Sequence, residues 1–105
     1  GFEGMGVQAS SDGALSEALL MQMKSKDAAQ RCQAARTLGD LGKCAAPHLA
    51  CLVGLLQDDS MIVRSTAARA LGKLASIASA HAPELAVCLK DEYLDVRKEA
   101  KKALG

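Results

Sequence analysis

Two histidines and four cysteines hold most of the chemistry open to this sequence. Cys44, His48 and Cys51 stand four and three residues apart, so a helix would bring them to one face, as a metal ion requires of its ligands. No fourth ligand follows nearby and no cysteine pair has CxxC spacing, so the pattern predicts no metal centre. His48 and His81 stand close to Pro47 and Pro83, and no serine, cysteine or acid around them forms a nucleophile motif. The expectation is a chain that is not an enzyme and carries no cofactor. Cys32, Cys44, Cys51 and Cys88 alternate with Ala, Val and Leu, and read as reduced, buried or half-buried small hydrophobes. Such thiols imply a reducing compartment, and an intracellular, cytoplasmic location is expected.

The other reactive groups are cations. Thirteen basic side chains face twelve acidic ones, so a net charge of +1 creates no global field toward nucleic acid or a membrane surface. Any electrostatic preference is local. Phe2 and Tyr93 are the only aromatics, too few for a platform on which bases could stack.

Ala, Leu, Lys, Arg, Glu, Gln and Met propagate helix well and dominate the chain, which predicts an all-α fold. The 105 residues suffice for one domain, and the apolar runs are too short to span a membrane. Residues 1–13, with early glycines and the Ser10-Ser11-Asp12-Gly13 cluster, read as a flexible leader without the charged-then-apolar pattern of a secretory signal.

The sequence aligns with itself at an offset of 33 residues. Arg31, Arg64 and Arg97 coincide; so do Ala34, Ala67 and Ala100; Leu38, Leu71 and Leu104; and Gly39, Gly72 and Gly105. Upstream, Leu19, Leu52 and Leu85 align, as do Met23, Leu56 and Leu89, so each unit has two halves. Leu49, Leu52, Val53 and Leu56 recur at helical spacing, as do Val63, Ala67, Ala70, Leu71 and Leu74. Met21, Met23 and Met61 read as core filling. The spacing predicts helices over Ala14 to Lys24, Asp27 to Leu41, Pro47 to Gln57, Ser60 to Ser76, Ala82 to Lys90 and Tyr93 to Leu104. Asp58, Asp59, Ser60, Asp91 and Glu92 are expected to cap or charge the starts of second helices, and Pro47 and Pro83 to open first helices. Gly39 and Gly72 inside helices cost about 1 kcal/mol each against alanine, which points to close backbone packing between units.

Asp, then Val-Arg, then Ala, then Ala-Leu-Gly, best seen in Asp58 to Gly72 and Asp91 to Gly105, resembles the second helix of a HEAT repeat. The short form found in HEAT-like proteins related to phycobilisome lyases is the nearest in style. The resemblance runs from Ala14 to Gly105 and is looser in the first unit, where Gln30-Arg31 replaces Val-Arg. It implies a right-handed α-α superhelix of three hairpins, at about 14–42, 43–76 and 77–105, with second helices on the concave side. It also implies a structural ladder joining neighbouring repeats, carried by Asp58 with Arg64 and Asp91 with Arg97, together with Arg31. Armadillo units need a third helix, for which 33 residues leave no room. The His-Glu pairs of HEAT-like deoxyhypusine hydroxylases are absent.

Arg36, Arg69 and Lys102 then fall side by side on the concave face, extended by Lys73, Lys98 and Lys101 and interrupted by Asp40. The expected role is a non-catalytic scaffold or adaptor that binds an acidic peptide or the acidic face of another protein. A nucleic-acid-binding module and a bilin lyase or chaperone-type accessory protein are the alternatives. Uncapped end repeats could also support self-association.

Overall fold

The computed structural model describes residues 17–105. They contain no strand. The helices are α1 (residues 17–23), α2 (Ala28–Leu41), α3 (Leu49–Gly54), α4 (Met61–Lys73), α5 (Ala75–Ala78), α6 (Ala82–Cys88) and α7 (Leu94–Leu104), with 3-10 turns at Gly42–His48, Leu55–Gln57 and Ser79–His81. The expected leader, and the start of the first helix at Ala14, lie outside the described residues.

The long helices α2, α4 and α7 pack side by side in chain order. The shorter elements form a second row: α3 and the Leu55–Gln57 turn rest on α4, and α6 rests on α7 and that same turn. The result is a flat helical solenoid with extents of 52 × 30 × 16 Å. Its core lies between the rows. Val63, Ala67, Ala70, Leu71 and Leu74, the expected stripe of one second helix, are all buried, as are Leu49, Leu52 and Leu56. Leu38 and Leu71 are sealed, whereas Leu104 in the same column is 39% exposed, because no further helix among the described residues covers α7.

Local signals explain where the long helices begin and end. The Asp27 carboxylate accepts from the Ala29 amide at 3.0 Å and caps α2, and Gly42, at φ 60°, ends it in a conformation that side chains disfavour. Before α4 and α7 the aspartates act differently from the expectation of caps. Asp58 accepts from the Ser60 amide at 2.9 Å and Asp91 from the Tyr93 amide at 3.0 Å, closing a tight turn just ahead of each helix, and the Ser60 side chain makes no cap bond.

Other expectations need correction. The helix foreseen over Ser60 to Ser76 breaks at Leu74, whose φ −100° and ψ 21° turn the chain, so α4 stops at Lys73 and α5 begins at Ala75. Pro47 lies inside the 3-10 turn Gly42–His48, and only Leu49–Gly54 of the foreseen Pro47 to Gln57 helix is α-helical; Pro83 does stand in the first turn of α6. Cys32 and Cys88 are buried free thiols, but Cys44 and Cys51 are exposed, because they lie on the outer side of the first-helix row. Met23 is buried, whereas Met21 is 74% exposed.

Candidate interaction surface

Neighbouring long helices are held at both ends of their contact. At the far end of α2, a Cβ added to Gly39 would lie 3.1 Å from the Ala70 Cα and Cβ, and one added to Gly72 would lie 3.2 Å from the Ala103 Cα. Only glycine admits this approach without displacing a backbone, which accounts for the mid-helix glycines as packing had suggested.

At the near end, arginine forks close the interface. Arg31 donates from Nε and Nη2 to the two carboxylate oxygens of Asp58 at 2.7 and 3.0 Å, and Arg64 does the same to Asp91 at 2.8 and 3.3 Å. Each arginine also donates from Nη1 to a carbonyl six residues behind it: Arg31 to Ser25 at 2.7 Å, Arg64 to Asp58 at 2.6 Å and Arg97 to Asp91 at 2.6 Å. The foreseen pairing is thereby corrected. Asp58 meets Arg64, and Asp91 meets Arg97, through the main-chain carbonyl, while each carboxylate takes the fork of the arginine 27 residues earlier. The reason is reach: six residues back along the turn, an arginine meets the backbone first. Tyr93 lies over this edge, with its ring centroid 5.5 Å from the Arg64 guanidinium.

These contacts set the charge states. Burial alone would push the Asp58 carboxyl up, but the fork from Arg31, the Ser60 amide and the Arg31 and Arg64 charges outweigh it and hold its pKa below the ordinary value. Asp91 follows the same balance: burial pushes up, while Arg64, the Tyr93 amide and Arg97 bring the pKa down. A folded-state pKa below the unfolded one means that this stabilisation is complete above the unfolded value, about 4, and is lost as pH falls through the folded value. The melting temperature is therefore expected to drop as pH falls below about 4. Arg64→Gln, which removes the fork on Asp91, is expected to make that drop shallower while lowering stability at pH 7; parallel curves for the two proteins in circular dichroism melts from pH 2 to 7 would contradict this assignment.

The outer face of the long-helix row carries the expected cations in part. Arg36, Arg69 and Lys102 stand exposed at equivalent positions of α2, α4 and α7. Arg69 pairs with Glu99 at 3.0 Å and Lys73 with Asp40 at 3.1 Å, so two carboxylates answer two cations in the middle of the row. A shallow groove of about 280 Å³ runs between Arg69, Gly72, Lys73, Glu99, Lys102 and Ala103. Arg36 and Lys102 pair with no carboxylate among the described residues.

Lys98 and Lys101 do not extend this row. Their equivalents, Cys32 and Ser65, and Ala35 and Ala68, are buried against the following helix, so the two lysines face away from α4 on the open side of α7. Glu99, in the same column as Gln33 and Thr66, was not singled out by the sequence; Thr66 and Glu99 both reach the preceding long helix, Thr66 at Cys32 and Glu99 at Arg69. His48 and His81 lie on the first-helix side, and no group of three metal-ligating side chains occurs among the described residues.

Helices of alternating length stacked in chain order, tied by a recurring arginine–aspartate fork, define a helical-repeat protein. Residues 16–105 match the sequence model of HEAT repeats, and the chain belongs to the HEAT-repeat family. No curated protein matches it. Among the described residues no helix is long and apolar enough to cross a membrane.

Proposed function

We propose that this chain is a non-catalytic protein-binding module of three hairpins, about 14–42, 43–76 and 77–105, which engages an acidic peptide or protein face through the outer side of α2, α4 and α7. The observation that carries the reading is the alignment of Arg36, Arg69 and Lys102, exposed on adjacent helices whose spacing is held by Gly39 and Gly72. HEAT repeats commonly serve as interaction scaffolds, which supports the same reading. Arg69 and Lys73 already have carboxylate partners, so a partner's acids would compete with Glu99 and Asp40, and Arg36 and Lys102 would take up its charge unopposed. In this reading Arg31, Asp58, Arg64 and Asp91 tie neighbouring repeats together, and among the described residues Arg97 keeps only the ladder's main-chain bond.

Surface ion pairs of this kind contribute more to steering and specificity than to affinity. A fluorescent Glu-rich peptide is expected to bind with micromolar-range affinity that weakens about tenfold in Arg36→Glu/Arg69→Glu, with the melting temperature little changed. Unaltered peptide binding would eliminate the reading. Preference for a short duplex or single-stranded RNA, with affinity falling steeply as salt rises, would point instead to phosphate contacts.

A further inference from the structure

α4 has a long helix packed on each side, α2 and α7, so what it leaves open faces outward from the long-helix row whatever the extent of that row. Of its 13 residues three are exposed: Ile62, Arg69 and Lys73. Steps of seven and four residues put them on one line along the helix, with about 10 Å from Ile62 to Arg69 and about 6 Å from Arg69 to Lys73 at the α-helical rise. Between the apolar end and the cations the surface is low. Ser65 and Thr66 are buried, and their hydroxyls donate to the Ile62 carbonyl at 3.0 and 2.7 Å. Ile62 is 57% exposed, whereas the other large apolar side chains of α2 and α4 are buried or half-buried. At its level α2 carries Ala29 and α7 carries Asp95, both exposed; at the level of Arg69, α2 carries Arg36. The outer face is therefore graded, apolar and acidic where the long helices begin and cationic toward their ends.

We infer, resting on the reading of this face as a site for an acidic partner, that Ile62 is its specificity-determining residue. The partner is then an acidic amphipathic helix lying along α4, with an apolar side chain on Ile62 and carboxylates on Arg69 and Lys73. Such a helix repeats the spacing of α4 itself, since residues seven and eleven places apart return to one face. It also satisfies its own backbone groups, for which the middle of α4, helical and with both hydroxyls engaged, offers no partners. Charge sets its direction. Asp95 repels acids at the Ile62 end, while Arg36, Arg69 and Lys73 attract them at the other. Running antiparallel to α4, the partner carries those acids in its own first turns, where negative charge suits the helix dipole. The carboxylates already beside Arg69 and Lys73 leave room for this: both cations are more than half exposed, and surface ion pairs of this kind have small net worth.

The probes are labelled helical 20-mers. The first carries two glutamates four places apart and a leucine seven places after the second, another has serine for that leucine, and a third has lysines for the glutamates. The leucine peptide is expected to bind about tenfold tighter than the serine peptide, and the lysine peptide not to bind. Ile62→Ser is expected to erase the difference between the two glutamate peptides while leaving the serine peptide's affinity unchanged, and Ile62→Leu to retain the difference. The Ile62 δ-methyl resonance is expected to shift with the leucine peptide and to stay in place with the serine peptide. If neither glutamate peptide binds, the reading of the face falls together with this inference. If both bind but the preference for leucine is missing, or survives Ile62→Ser, this inference falls alone. Tighter binding of a 20-nucleotide single-stranded RNA, or dimerisation of the protein that Ile62→Ser abolishes and the peptide does not displace, would also overturn it. Melting curves identify any loss that stems from unfolding, and Ile62→Leu is the folded comparison that keeps the apolar group.

Discussion

Leu71→Ala is expected to destabilise the fold by about 3 kcal/mol, whereas Leu104→Ala, at the equivalent place one unit later, should cost less than about 1 kcal/mol. Leu71 is 1% exposed and Leu104 is 39% exposed, so the two substitutions remove the same atoms from different surroundings. Beside Leu71 lies a hollow of about 210 Å³ lined by Ala75, Ala78, Ala82, Leu85 and Ala103, with Leu104 at the same hollow but itself 39% exposed. Truncation enlarges that space, and alanine-rich walls offer few long side chains with which to fill it. For a domain of this size the loss corresponds to a melting-temperature fall of roughly 12–24 °C for Leu71→Ala. Urea unfolding of both variants checks the comparison. Equal losses would mean that the helix row does not cover Leu71 as described.

Gly39→Leu carries the next largest expected effect, a loss of about 3 kcal/mol despite leucine's better helix propensity. The first added carbon already lies 3.1 Å from both the Cα and Cβ of Ala70, and a backbone atom cannot rotate aside as a side chain would. The new side chain would part α2 from α4 and lengthen the Arg31–Asp58 fork. Gly54→Ala provides the contrast, because nothing lies within 4 Å of the added carbon and the residue is exposed at the end of α3. It should stabilise the protein by several tenths of a kcal/mol. Thermal melts of the two variants should therefore move in opposite directions.

The fold was largely readable because the period of 33 residues and the spacing within each half select the same residues. The columns headed by Ala34 and Leu19 became buried core, joined by Leu38 and Leu71, and Gly39 and Gly72 became the close contacts. The first-helix row was harder to foresee. Pro47, Gly42 and Gly54 weaken continuous α-helix there, and Cys44, in the 3-10 turn, and Cys51, on α3, both stand exposed against a pattern that had placed them inward. Ladder partners were hidden for a different reason: Asp58 is six residues from Arg64 and 27 from Arg31, and the period alone does not say which arginine reaches the carboxylate and which the carbonyl. The division of the lysines could have been read directly. Small residues at Cys32, Ser65, Ala35 and Ala68 mark two columns as packed against a neighbouring helix, and lysine at 98 and 101 in the same columns sets α7 apart from α2 and α4.

The forks and the glycine contacts sit at opposite ends of each helix-to-helix interface, one electrostatic and the other steric. Two fixed points on a line remove the freedom to swivel as well as to separate, so α2, α4 and α7 should move as a stiff plate. Compliance is left to the kinked, 3-10-rich side of the molecule, where short segments can slide without breaking a fork. A ligand on the plate must therefore match a given shape, and any adjustment during association falls to the ligand or to the opposite row.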